Sequence, residues 1–168
     1  MFALNEKVVY PGHGVALVKK IIERTIDIDK VSFYELHFLH KDIMILVPMQ
    51  SAQLVGIRKL ESEESIDILL KDLAEPAVRA PASEFTPNNW NKRNKEYQLK
   101  LRTGKLKDLS DIYKDLRFIS CHKELSFGEK NILHQAEVLL AEEISIVQKN
   151  HEDKTIEQLR LVCGAKDK

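Results

Sequence analysis

Cysteine is nearly absent from this chain: Cys121 and Cys163 are the only two among 168 residues, and neither belongs to a C-x-x-C pair. That excludes a disulfide framework and a four-cysteine zinc site, and it predicts reduced thiols in a cytoplasmic protein. Long apolar runs are missing as well, since none approaches the ~20 residues of a bilayer span. The opening Met1-Phe2-Ala3-Leu4-Asn5-Glu6-Lys7 lacks the basic start and apolar core of a signal peptide. No glycine-rich phosphate loop, G-x-S-x-G elbow, G-x-G-x-x-G turn or H-E-x-x-H pair occurs, so the common hydrolase, nucleotide-binding and metalloprotease signatures are excluded. A surplus of either charge is lacking too. Lys and Arg number 26, Asp and Glu 26, and a net charge of zero argues against a chain that binds nucleic acid by bulk charge.

The zero hides an uneven distribution. Residues 1–60 carry a balance of +2, residues 61–87 of −5, residues 88–107 of +6, and the remainder −3. The basic block also contains Trp90, the single tryptophan. With 43% hydrophobic and 31% charged residues the chain reads as folded, in one domain or two small ones.

Two grammars divide it. Up to about Leu60 the pattern is that of short strands. Val8-Val9-Tyr10 is broken by Pro11-Gly12-His13-Gly14, where two glycines permit a tight turn. Val15 to Ile22 is a second strand. Ser32 to Leu39 alternates, with Phe33, Glu35 and His37 on one face and Tyr34, Leu36 and Phe38 on the other. Ile43 to Val47 is an apolar strand stopped by Pro48, and Leu54 to Ile57 is a short fifth. Such spacing predicts a small antiparallel barrel. After Leu60 the period turns helical. Ser62 caps a helix with Ile66, Leu69, Leu70 and Leu73 on its apolar side. Prolines 76, 81 and 87 interrupt it, Thr86-Pro87-Asn88 starts another, and Gly104 stops that one. Leu106 to Ile119 forms the next. Ser126-Phe127-Gly128-Glu129 is a capping box that opens a long helix to about Val147, and Lys154 to Val162 forms a last. The fold class is therefore α+β: a sheet domain over residues 1–62 and a bundle of four or five helices over 63–168.

Chemistry-bearing clusters are few. His37 and His40, three apart in a strand region, point to opposite faces and share no metal easily. Cys121 and His122 are helix neighbours and point apart. No enzyme, metal or cofactor is expected. The basic block stands out: Trp90, Tyr97 and Leu101 fall in one helical stripe, with Arg93 and Lys100 on one flank and Lys95 and Arg102 on the other. Either Trp90 anchors the bundle while the cations form a solvated face, or the tryptophan meets a minor groove while the cations hold phosphates. In the strands, Met44, Leu46 and Val47 fit a core, yet alternate residues must face outward and could form a docking edge.

Four segments resemble one family in order and at matching separations: Val8-Val9-Tyr10-Pro11-Gly12-His13-Gly14; Ile45-Leu46-Val47-Pro48 with Val55-Gly56-Ile57-Arg58; Trp90-Asn91-Lys92-Arg93; and Leu125-Ser126-Phe127-Gly128-Glu129-Lys130. Over residues 3–147 the chain is similar to the CarD/CdnL family of bacterial transcription regulators that bind RNA polymerase. The resemblance implies a Tudor-like barrel that docks on the polymerase β subunit, with Arg24, Leu46 and Pro48 in that surface. It also implies a helical domain on promoter DNA upstream of the melted region. There Trp90 would wedge into the minor groove, and Lys92, Arg93 and Lys95 would hold the backbone. Two positions depart from the pattern: Leu46 stands where some members have arginine, and Asn94 where an aromatic is common. The region after Lys149 matches poorly.

The reading is a monomeric, non-catalytic regulator that stabilises the open promoter complex, found in the cytoplasm and on the nucleoid through polymerase. Its partners are the β subunit and promoter DNA read with little base specificity, and no membrane is among them. Its rival is an adaptor that docks on polymerase or a helicase without touching DNA. A buried Trp90 favours the adaptor; an exposed one beside Lys92 and Arg93 favours the wedge.

Overall fold

β-branched and aromatic residues dominate the first sixty positions, and they form five antiparallel strands. These are β1 (Lys7–Tyr10), β2 (Gly14–Ile26), β3 (Asp29–Phe38), β4 (Met44–Pro48) and β5 (Arg58–Lys59). They pair in the order β4-β3-β2-β1-β5, which leaves β4 and β5 at the edges of the sheet. In the β1–β2 turn Gly12 and Gly14 take φ of 75° and 105°, the left-handed region that the Pro-Gly-x-Gly spacing predicts. A register shift between Val18 and Lys20 marks a bulge that bends the long β2. Val8, Ala16, Val18, Tyr34, Leu36, Phe38 and Val47 form the core, so β3 alternates as expected. This sheet is the Tudor-like part of an α+β protein.

The computed structural model describes residues 1–76 and 87–164. Two compact units divide at Leu60/Glu61.

One predicted strand is a helix. Residues 52–55 form a single turn, α1 (Ala52–Val55), which follows a 3₁₀ turn at Met49–Ser51. Gly56, at φ 87°, closes the turn by donating its N–H to the carbonyls of Ala52 and Gln53. A four-residue apolar run suits helix or strand equally, and the left-handed glycine decides for the helix. The true strand, β5, follows and pairs Val8 with Lys59 and Val9 with Arg58. A Cβ on Gly56 would stand 3.2 Å from Cγ of Pro11, so the β1–β2 turn rests directly on this glycine.

The second unit holds α2 (Glu63–Ala74), α3 (Pro87–Thr103), α4 (Leu106–His122), α5 (Phe127–Gln148) and α6 (Glu152–Gly164). Ser62 caps α2, its Oγ accepting from the Ser65 N–H at 3.1 Å. Gly104, at φ 64°, ends α3. The proline-rich stretch expected to break the helices falls, over residues 77–86, outside the described residues. Ile66, Ile112, Leu116, Ile119, Leu140, Ile144 and Leu159 are fully buried in one core. Each such side chain contributes about 1.5–3 kcal/mol by leaving water.

Long α5 also buries acids. Glu137 accepts from Tyr113 Oη of α4 at 3.1 Å and from Nε and Nη2 of Arg160 of α6, both at 2.8 Å. Glu143 accepts the Glu61 N–H at 2.9 Å. No helix among the described residues is long and apolar enough to cross a membrane.

Candidate functional site

Helix α3 begins with Pro87 at its first position, where a missing N–H costs nothing. Tyr97 and Leu101 are buried in the helical core, and Trp90, on the same stripe, packs against that core and is partly buried. The indole lies against the start of α5. A Cβ on Gly128 would stand 3.0 Å from the Trp90 Cζ2, a separation tighter than nine in ten real Cβ contacts, so the ring would have to give by a few tenths of an ångström. Tyr97 lies 6.5 Å from the indole, centroid to centroid, and the Arg93 guanidinium carbon 5.8 Å from the ring centroid. The indole is therefore neither buried nor free, an outcome between the two on which wedge and adaptor were to be distinguished.

The cations of the basic block sort into two groups. Lys92, Lys95, Arg102 and Lys105 are exposed. The others meet acids of their own unit. Lys100 lies 3.6 Å from Asp111, and Lys107 bridges Asp72 at 2.7 Å and Asp111 at 3.0 Å. That lysine holds the Asp72 carboxyl below its ordinary value. Arg93 donates through Nη2 to Oε1 of Glu129 at 2.9 Å, its side chain 11% exposed and that of Glu129 1%. Of the three cations expected on phosphates, two face solvent and one is engaged within the unit.

Glu129 also completes the capping box of α5. Its N–H donates to Ser126 Oγ at 3.3 Å, while its Oε2 accepts from the Ser126 N–H at 2.8 Å and from Lys123 Nζ at 2.9 Å. Burial works against its charged form, but the donors Lys123 and Ser126 outweigh it and hold the carboxyl below the usual range. Sequence reasoning read Glu129 only as a cap and missed its grip on Arg93. It also missed Phe127, 81% exposed on the residue before Gly128. A glycine at the second position of a helix was the available signal, because Gly128 is absent from the residues with positive φ. The ring beside it, rather than the backbone, requires the glycine.

On the sheet, the register gathers the other three candidates. Pro48 pairs with Phe33, which pairs with Ile22; Leu46 pairs with Glu35, which pairs with Lys20; Arg24 pairs with Val31. Alternation then puts Arg24, Leu46 and Pro48 on one face, opposite to Tyr34, Leu36 and Val47 of the core. Arg24 is exposed, Leu46 and Pro48 half-buried, and Met44 completes the apolar rim of the edge strand. Glu35, buried in this face, has its Oε1 2.7 Å from Nε2 of His37.

Cys121 and His122 do not meet. Cys121 Sγ donates to the Arg117 carbonyl at 3.3 Å, and His122 Nδ1 lies 2.9 Å from the Phe118 carbonyl. Neither cysteine is in a disulfide. Among the described residues no group of three or more His, Cys, Asp or Glu could hold a metal ion.

Comparison with known proteins agrees with both units. Residues 2–61 match the CarD-like/TRCF RID domain, and residues 77–160 match CarD, C-terminal domain. The chain is 24% identical over 149 residues to the candidate transcription factor YdeB of Bacillus subtilis (strain 168), an alignment covering 88% of this chain and 93% of that protein.

Proposed function

This chain belongs to the CarD family, transcription regulators that work through RNA polymerase, and we propose that it tethers polymerase to the upstream edge of the promoter bubble. In this reading the outer face of the sheet, with Arg24, Leu46 and Pro48, docks on the β subunit. The helical unit meets promoter DNA, with Trp90 as the wedge in the minor groove and Lys92 and Lys95 on the backbone. Sequence specificity is low, because the minor groove distinguishes few base pairs. The protein acts as a monomer in the cytoplasm, carried to the nucleoid by polymerase, and without enzymatic activity.

The observation that supports the reading best is the partly exposed Trp90, packed at the margin of the helical core with exposed Lys92 and Lys95 on the same helix. A side chain so placed can enter a widened or unstacked step that intact duplex does not offer. The mechanism is differential binding: a ligand shifts an equilibrium only by its preference for one state. A preference of about 1.4 kcal/mol for the opened junction lengthens the balance toward open complex tenfold.

The buried half of the same indole supports the adaptor reading, in which α3 packs inward and its cations meet an acidic protein. Open-complex lifetime on a promoter, compared between wild type and Trp90→Ala, separates the two. The expected result is a lifetime close to that of polymerase alone, with polymerase binding retained. An unchanged lifetime with folded Trp90→Ala refutes the wedge and leaves the adaptor.

A further inference from the structure

We propose that Arg93 is a positioning residue for Trp90 rather than a phosphate contact, and that Glu129 and Gly128 form with it the seat that aims the indole. The inference rests on the wedge reading and assigns the side chains that make it work.

Two contacts meet the indole, and a third ties them together. Gly128 leaves room for the ring, since a Cβ there would lie 3.0 Å from Cζ2. Arg93, one turn along α3, spans the ring at 5.8 Å from its centroid. The same guanidinium reaches Oε1 of Glu129, the residue after Gly128, at 2.9 Å. Glu129 is in turn fixed by Lys123 and by the backbone of Ser126. The wedge residue, its strap and its ledge are thus joined through one carboxylate that is 1% exposed. A wedge needs such support, because a side chain free to rotate away from a base step gives back the free energy of inserting there. An arginine turned toward a phosphate in solvent would abandon this buried carboxylate, an expensive exchange. The exposed Lys92 and Lys95 carry no such obligation.

Phosphate contact and positioning have different signatures. Each phosphate contact adds about 0.9 to the log–log dependence of DNA affinity on salt. Positioning instead changes the surroundings of the indole, which the single tryptophan reports in its fluorescence without interference. The experiment uses the full chain, a fluorescein-labelled fork-junction DNA titrated at several salt concentrations, tryptophan emission, and open-complex lifetime with polymerase. For Arg93→Gln the expected result is an emission maximum moved to longer wavelength, a shortened lifetime and a wild-type salt slope. Lys92→Gln should do the reverse, lowering the slope by about 0.9 while leaving emission unchanged.

Arg93→Gln could disturb folding, so two further variants carry the test. Glu129→Gln keeps a residue suited to the capping box while removing the ion pair. Gly128→Ala keeps every charge and favours the helix, yet crowds the ring and obliges it to shift. Both should show the emission shift and the shorter lifetime with α-helical circular dichroism intact. A salt slope lowered by about 0.9 in Arg93→Gln with unmoved emission makes Arg93 a phosphate contact and overturns the proposal. Unchanged emission in Gly128→Ala overturns the seat. If Trp90→Ala leaves the lifetime unchanged, it is the wedge reading that fails, and the emission results still decide whether the seat exists.

Discussion

Replacing Glu137 by Gln should destabilise the helical unit by an amount that depends on pH. The carboxylate takes three hydrogen bonds, two of them from Arg160 and one from Tyr113, and so ties α4, α5 and α6 together. An amide at that position keeps one acceptor oxygen and turns an NH2 toward the guanidinium. Hydrogen bonds to a charged partner are worth about 1.5–3 kcal/mol each, but the Arg160 side chain is 57% exposed and water competes for it. A total loss of about 2–3 kcal/mol follows. For a unit of this size each kcal/mol moves the melting temperature by about 4–8 °C, giving a fall of about 10–20 °C at neutral pH. The helical circular dichroism signal measures it, since every helix longer than four residues lies in this unit among the described residues. Burial alone would raise the Glu137 carboxyl, but Arg160 holds it below its ordinary value of 4.5. A depressed folded value means that the unfolded chain binds the proton first. The stabilisation is complete above pH 4.5 and disappears as pH falls through the depressed value. Glu129 and Asp72 behave alike in wild type and variant, so both melting curves decline in acid while the gap between them closes. A gap below about 2 °C at neutral pH, or one that stays constant down to pH 3, refutes the account of this network.

Arg24→Glu, a change on an exposed strand position, should weaken capture by the polymerase β subunit in a pull-down while leaving fork-DNA binding at its wild-type level. Loss of both activities at once would show that the sheet face was wrongly assigned. Gly56→Ala should destabilise the sheet unit by about 1–2 kcal/mol, the ordinary cost of a left-handed residue with a Cβ, and the nearby Pro11 ring adds to it. Faster hydrogen exchange at the amides of β1 and β5 reads this directly. A stabilisation of about 0.4–1 kcal/mol, as for glycine in ordinary helix, would contradict it.

Elements were legible where the pattern is local. Tyr34, Leu36 and Phe38 bury as alternation requires, and of Phe33, Glu35 and His37 on the other face only Glu35 is buried as well. The Ser126–Glu129 box opens α5 because its two hydrogen bonds lie within four residues. The strand expected over Leu54 to Ile57 failed because a short apolar run carries no period, and Gly56 within it closes a helical turn instead of continuing a strand. Partnerships were illegible where they join distant segments. Arg93 looks like any surface cation, and its acid lies 36 residues away. Glu137 occupies a helical position that a solvated glutamate could also fill, and only Tyr113 and Arg160 make it interior. The register that aligns Arg24, Leu46 and Pro48 depends on the bulge at Val18/Lys20, which no spacing in the sequence announces.

The contact between Gly56 and the Pro11 ring has a bearing on inheritance. The turn Pro11-Gly12-His13-Gly14 and the segment Val55-Gly56-Ile57-Arg58 read as two separate motifs, forty-five residues apart from proline to glycine. In the fold they are two sides of one close approach, which would leave a Cβ at position 56 only 3.2 Å from the proline ring. Neither can drift by itself: a side chain gained at position 56 displaces the ring at position 11, whereas loss of that ring removes the steric half of the demand for glycine. In lineages of this family the two positions should therefore change together, and a chain that has lost the proline is where a residue other than glycine should first be tolerated.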